Sequence, residues 1–219
     1  YWVVSFNEDM PGIMECRRSE AGIRPWEPGH GQFFHAFTGE YGGLWRRNGR
    51  PPNALCGVGM TSQGFDISEP YMLTPSASNP RAAFIFEGVD CGTSIGAFGL
   101  AGGGAAGLEV DRADATQGTP AHALVVASSV RHTDIYLMTP EDLLDPTPEW
   151  SGTQAEIIRA DLTFFETEGG GAVFSTGSIA WAGSMAWNGY HNEIAAITAN
   201  VLRRFNDPVR FEIPVDKQT

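Results

Sequence analysis

The sequence has little of what marks a membrane protein, a nucleic-acid binder or a disulfide scaffold. No run approaches the ~20 consecutive apolar residues that cross a bilayer. Basic residues number 14 against 26 acidic ones, for a formal net charge of −12. An excess of that sign repels phosphate backbones, so neither nucleic acid nor membrane is expected as a partner. Cysteine is scarce: Cys16, Cys56 and Cys91 are odd in number and have no CxxC spacing. That argues against a disulfide framework and fits a reducing cytoplasm. No secretory leader is visible, and a cytoplasmic location is expected.

The usual signatures of catalysis are also missing. A nucleophile elbow of the G-x-S/C-x-G kind is absent: Ala54-Leu55-Cys56-Gly57-Val58 and Thr176-Gly177-Ser178-Ile179-Ala180 both fail the glycine pattern. His30 and His35 do not have the spacing of two ligands on one helical face, and His122, His132 and His191 are isolated. No cluster has zinc spacing, so no metal ligand is expected within the chain. The glycine run 102–107 lacks the Lys-Ser/Thr ending of a phosphate loop and leads into a strand-like segment, so it reads as a tight turn with close backbone approach.

What is abundant is glycine (27), proline (14) and short apolar runs, in a chain of 219 residues with 42% hydrophobic residues. That composition suggests one globular domain, or a domain with an appendage, rich in turns and strands. Strand patterns fall at 2–6, 13–17, 82–86, 107–111, 123–128, 161–167 and 172–175, with 123–127 apolar on both faces like a central strand. The segment 169–171 reads as a turn. A helix is expected over 191–205, with apolar residues at Ile194, Ile197, Val201, Leu202 and Phe205, a cap at Asn188 or Asn192, and a stop at Pro208. Shorter helices are expected at 140–144 and 153–159. Residues 18–80 carry much glycine, proline and aromatic character and little periodicity, and read as an ordered, irregular excursion preceding a strand-and-helix region at 81–206. The opening 1–6 reads as a core strand without a polar lead-in, from which an upstream segment is expected.

Among titratable groups, Glu109 stands out. It lies between apolar Leu108 and Val110, close to Arg112, after glycines that let other chain approach. Desolvation would raise its pKa and the arginine would lower it. It could act as a general base, orient one, or form a structural pair with Arg112. Trp181 and Trp187, like the aromatic residues between 33 and 45, could wall a small apolar pocket or pack in a core.

Several segments together carry a family resemblance: 42–47 (GGLWRR), 57–66 (GVGMTSQGFD), 102–112 (GGGAAGLEVDR), 175–184 (STGSIAWAGS) and 197–205 (ITANVLRRF). They resemble the C-terminal region of the N,N-dimethylformamidase large (beta) subunit family across nearly the whole chain. The resemblance implies a fold related to class I glutamine amidotransferases, a flavodoxin-like α/β layer with an elaborated mixed sheet. It implies hydrolysis of small formamides to formate and an amine by a mononuclear iron held by two tyrosines and a glutamate. As aligned, those ligands lie upstream of Tyr1, so the chain by itself is expected to be inactive. Glu109 is carried over as an acid–base group beside the iron site, with Arg112, Tyr1, Trp2 and Trp181 in supporting positions. Partners implied are the upstream part of the polypeptide, a small second subunit, the amide substrate and further copies in a homo-oligomer. Two other readings stay open: a non-catalytic binding module on the same scaffold, and a cysteine-dependent amidotransferase.

Overall fold

A computed structural model describes residues 2–6, 9–18, 45–139 and 150–214. In chain order, β1 (Trp2–Phe6) pairs with β2 (Met14–Arg18). A 3-10 turn at Trp45–Asn48 and the short helix α1 (Asn53–Cys56) lead into β3 (Gly59–Glu69) and β4 (Tyr71–Leu73). Next come β5 (Ala106–Arg112), β6 (Leu124–Ser129), β7 (Leu137–Met138), β8 (Asp161–Glu166) and β9 (Ala172–Ser175). Helices α2 (Ala180–Met185) and α3 (Glu193–Phe205) follow.

Besides the β1–β2 ribbon, the strands form a three-stranded sheet in the order β5-β3-β7 and a four-stranded sheet in the order β4-β6-β8-β9. Every pairing among the described strands is antiparallel. The fold is therefore mixed α/β with antiparallel sheets, and a parallel flavodoxin-like layer is not among the described elements. The local cause is visible at β8–β9. A turn closed by Thr167 N–H donating to Gly171 O (2.9 Å), with Gly170 at φ +82°, can join only antiparallel neighbours.

The core lies between the four-stranded sheet and the helices. β8 is buried along its whole length, as an interior strand covered on both faces must be. Its neighbour β6 is interior too, although Leu124 and Val125 are only half-buried. Buried Tyr71, Ile95, Val110, Leu162 and Phe164 pack with Trp181, Ile194 and Ile197. Bridges Tyr71–Ile95 and Val110–Ser178 tie the two sheets to the connecting loops.

The expected long helix forms with Asn192 as its cap, the side chain accepting from Ala195 N–H at 2.9 Å. Asn188 instead takes a left-handed conformation (φ +51°). The buried stripe is Ile194, Ile197, Asn200 and Val201, while Leu202 points outward at 64% exposure. Asn200 sits in the stripe because its amide donates to Ile85 O (3.2 Å) and Glu87 O (2.8 Å).

Three expectations are corrected. Residues 82–86 are not a strand but part of a 3-10 helix, Pro80–Phe86. Asn79 caps it by accepting from Arg81 N–H, and Pro80 fixes its first turn, so the start signals override the apolar run. The stretch 153–159 forms turns, not a helix. The region 18–80 is not irregular throughout, for it holds β3, an eleven-residue strand, and β4. β3 escapes notice because its pairing with β5 is broken by register shifts at Met60/Ser62 and Gly64/Glu69, which spoil the two-residue alternation. The expected helix at 140–144 lies outside the described residues. No described helix is long and apolar enough to cross a membrane.

Candidate functional site

The pairing of β3 with β5 sets Met60 opposite Asp111, Ser62 opposite Val110 and Gln63 opposite Glu109. Alternation along β5 sends Val110 into the core, where it is fully buried, and Glu109 and Asp111 to the other face together. The turn Trp45–Asn48 is laid across β3 by Arg46. Its guanidinium donates to Met60 O (2.5 Å) and to Thr139 O. Helix α1 closes the other side. There Asn53 donates to Arg112 O and to Thr119 Oγ1, both at 3.2 Å. Gly59 permits this approach, since a Cβ at that position would lie 2.3 Å from Asn53 Oδ1.

These elements enclose a cavity of about 180 Å³. Trp45, Pro52 and Met60 form apolar wall, and Glu109, Asp111, Arg46 and Asn53 supply its polar groups. It is smaller than the roughly 300–1,000 Å³ of drug-sized sites, so it suits a compact solute with an apolar part. A second hollow of about 210 Å³ shares Arg46, Asn53, Gly59 and Met60 and adds Arg112 and Thr61.

The electrostatics concentrate on the two carboxyls. Burial pushes the Glu109 carboxyl above its usual range. Asp111 is pushed up to about 7, first by burial, then by the neighbouring charge of Glu109, with Arg46 acting in the opposite direction. Asp111 Oδ1 is buried and has no hydrogen-bond partner among the described residues. Arg112 does not face Glu109 as an ion pair. It bonds Asp114 Oδ2 at 2.5 Å and Thr61 Oγ1 at 3.2 Å, and Asp114 is held below the usual carboxylate range: hydrogen bonds from Thr116 and Arg112 overcome the opposing cost of burial.

The structure thus brings Glu109 to a cavity and sets Arg112 beside it, next to the adjoining hollow. Trp181 stands elsewhere. It is 5% exposed in the core, edge-on to Tyr71, with its indole N–H donating to Thr198 Oγ1 at 3.0 Å. Trp187 stacks on Phe98. Trp2 lies on β1, opposite Arg18, and Tyr1 lies outside the described residues.

Asp111 and Arg46 were not singled out from the sequence. The signal for Asp111 was present, two residues beyond Glu109 on a strand. Arg46 lies 65 positions before Asp111, and nothing local connects them.

Other reactive groups are spent on structure. Cys56 ends helix α1, and burial together with Asp111 pushes its thiol up, the reverse of an activated nucleophile. Ser178 Oγ accepts from Gly107 N–H and donates to Gly107 O, both at 2.8 Å. Ser129 and His132 form a hydrogen-bonded pair (2.7 Å) that is fully buried. Burial lowers His132 to about 4, so its imidazole is neutral, and Ser129 Oγ also accepts from Ala160 N–H.

Among the described residues, no group of three His, Cys, Asp or Glu could hold a metal ion. The hydroxyl of Tyr71 donates to Thr176 O at 2.7 Å, and that of Tyr136 accepts from Leu108 N–H at 3.0 Å. Tyr1 and Tyr41 lie outside the described residues.

The fold and the cavity together define a mixed α/β protein with a small, acid-lined hollow at the β3–β5 pair. The chain belongs to the family described as N,N-dimethylformamidase beta subunit-like, C-terminal, which it matches over residues 1–192. It is 42% identical over 205 residues to the N,N-dimethylformamidase beta subunit of Paracoccus aminophilus. It is 41% identical over 205 residues to the beta subunit of that name from an Alcaligenes species. Each match covers 94% of this chain and 27% of the relative, so the chain spans about a quarter of the length of these relatives.

Proposed function

We propose that this chain contributes one wall of the active site of a larger amide hydrolase that acts on small formamides. Glu109 is its acid–base group. The observation that carries the reading is a single one: a part-buried carboxyl, its proton affinity raised by burial, faces a small cavity with apolar walls. Such a carboxyl is suited to proton transfer.

Amide hydrolysis needs a proton taken from water and a proton given to the departing nitrogen. The Glu109 carboxylate accepts the proton as the water oxygen bonds to the formyl carbon. When the C–N bond breaks, the nitrogen keeps the bonding pair and takes that proton, leaving the amine and formic acid, which releases the second water proton to solvent and becomes formate, with Glu109 ionised again. Trp45, Pro52 and Met60 suit N-methyl groups and keep bulk water away from the carboxyl.

The chemistry assigned to the remainder of the protein is also a proposal. Iron is held by residues of the longer protein outside this chain, and this chain forms part of an amidotransferase-like domain. A small second subunit and self-association complete the assembly, in the cytoplasm.

The test is direct. The full-length polypeptide, purified together with any small subunit that accompanies it and with its metal content measured, releases formate and dimethylamine from N,N-dimethylformamide. A protein that binds metal yet leaves every small formamide intact contradicts the reading.

A further inference from the structure

Two carboxyls share the cavity at the β3–β5 pair, yet the proposed chemistry uses only one. We propose that Asp111 is a positioning residue that holds the pair's single proton, keeping Glu109 ionised and ready to accept another from water. This rests on the hydrolase reading and deepens it.

The placement argues for it. Glu109 and Asp111 leave β5 on one face, two positions apart, and both line the 180 Å³ cavity. The backbone of Asp111 is fixed, its N–H donating to Gly177 O at 2.7 Å and its neighbour Val110 bridging to Ser178. With the backbone fixed, only side-chain rotation could move this carboxyl. Its Oδ1 is buried and meets no donor among the described residues. An anionic oxygen in such a place is costly, whereas a neutral carboxyl is tolerated. Glu109, less deeply placed, is the better site for the negative charge. Two acids in unlike surroundings so divide the roles of proton holder and base.

The groups around Asp111 agree. Arg46, from the turn at Trp45–Asn48, offsets the charge only in part, because its guanidinium also serves Met60 O and Thr139 O. Cys56 on α1 and Tyr71 on β4 both feel Asp111, and each is pushed up, so both stay neutral near pH 7. Asp161 on β8 carries its own partners, Ser128 Oγ, Ala113 N–H and Arg159 Nε. On its own strand, Arg112 is paired with Asp114. Asp111 thus takes up a proton rather than a cation.

The sign follows. Burial and Glu109 move the Asp111 titration up to about 7. As pH rises through that value Asp111 loses its proton and the cavity gains a negative charge, which opposes the oxyanion that develops as water adds to the carbonyl. The kcat/KM of the full-length enzyme should fall about tenfold as pH rises through 7 to 9. Asn mimics the neutral acid and cannot ionise, so the decline between pH 7 and 9 is lost in D111N.

The direct measurement is infrared titration of the full-length protein carrying carboxyl-labelled aspartate. The wild type shows one aspartic acid carbonyl band disappearing near pH 7, and D111N lacks it. In E109Q the midpoint moves down by about one unit, because a neighbouring negative charge is gone. This arm needs neither turnover nor a folded D111N. A decline in rate that persists unchanged in D111N, or an Asp111 midpoint that E109Q does not move, overturns the proposal. If the bands behave as stated while no formamide is hydrolysed, the hydrolase reading fails and the carboxyl pair stands. If formamide is hydrolysed but the bands do not, the pair fails and the hydrolase reading stands.

Discussion

Replacing Glu109 with Gln in the full-length protein should lower kcat on a small formamide, the proposed substrate, by about 10²- to 10⁴-fold, the usual contribution of a positioned acid–base group. That corresponds to about 3 to 5 kcal/mol of barrier. The change is close to isosteric and falls on a side chain at the cavity wall, outside the buried core. The melting temperature and circular dichroism should therefore be unaltered. KM should move little, because the apolar wall of Trp45, Pro52 and Met60 is untouched. Steady-state kinetics beside a thermal melt decide it. Undiminished turnover in a folded E109Q protein would leave this side chain with no part in catalysis and favour a binding role for the fold.

The second large effect is on folding. Gly177 sits at φ +65°, where its carbonyl receives the N–H of Asp111. A Cβ there would lie 2.6 Å from Asp111 O, 2.7 Å from Asp161 O and 2.8 Å from Asp161 N. All three are backbone atoms of paired strands, so nothing flexible can give way. Gly177→Ala should cost about 3 to 5 kcal/mol, from left-handed strain and overpacking combined. Gly103 provides the comparison. Its φ is +80° but a Cβ would meet nothing within 4 Å, so Gly103→Ala should cost only the strain, about 1 kcal/mol. Denaturant midpoints of the two variants measure the difference. Equal midpoints would mean that the β5–Gly177 contact is not what holds the strand bearing Glu109 and Asp111.

How much of this was legible depends on whether the signal was local. Helix α3 was legible because its 3.6-residue stripe and Asn192 cap lie within one stretch of chain. β8 and β9 were legible as short runs around the turn at 169–171. β3 was not, because its bulges exist only in relation to β5, and Phe65, at 80% exposure, contradicts the simple expectation for a large aromatic residue. The 3-10 helix at Pro80–Phe86 was misread because an apolar run shows burial without showing which backbone provides it. Arg81 completes that turn by a two-pronged bond to Glu166 on β8 (2.9 and 2.5 Å), a partner 85 positions away.

The site divides in the same way. Glu109 could be chosen from its apolar neighbours alone, and Asp111 could have been reached by counting two along a strand. The cavity could not, because it is made when Arg46 reaches Met60 O and Thr139 O and when Asn53 fills the space left open by Gly59. Trp181 shows the converse. Its sequence setting allowed a pocket wall or a core position, and its ring is taken up by Tyr71, Phe174 and Thr198 in the core.

The central claim is that a small amide occupies the hollow faced by Glu109. A crystal structure of the full-length protein with N,N-dimethylformamide bound tests it most directly. The account predicts the amide against Trp45 and Met60, with a Glu109 oxygen within hydrogen-bonding reach of the attacking water. An amide bound in another cleft, with Glu109 facing only protein, would contradict it.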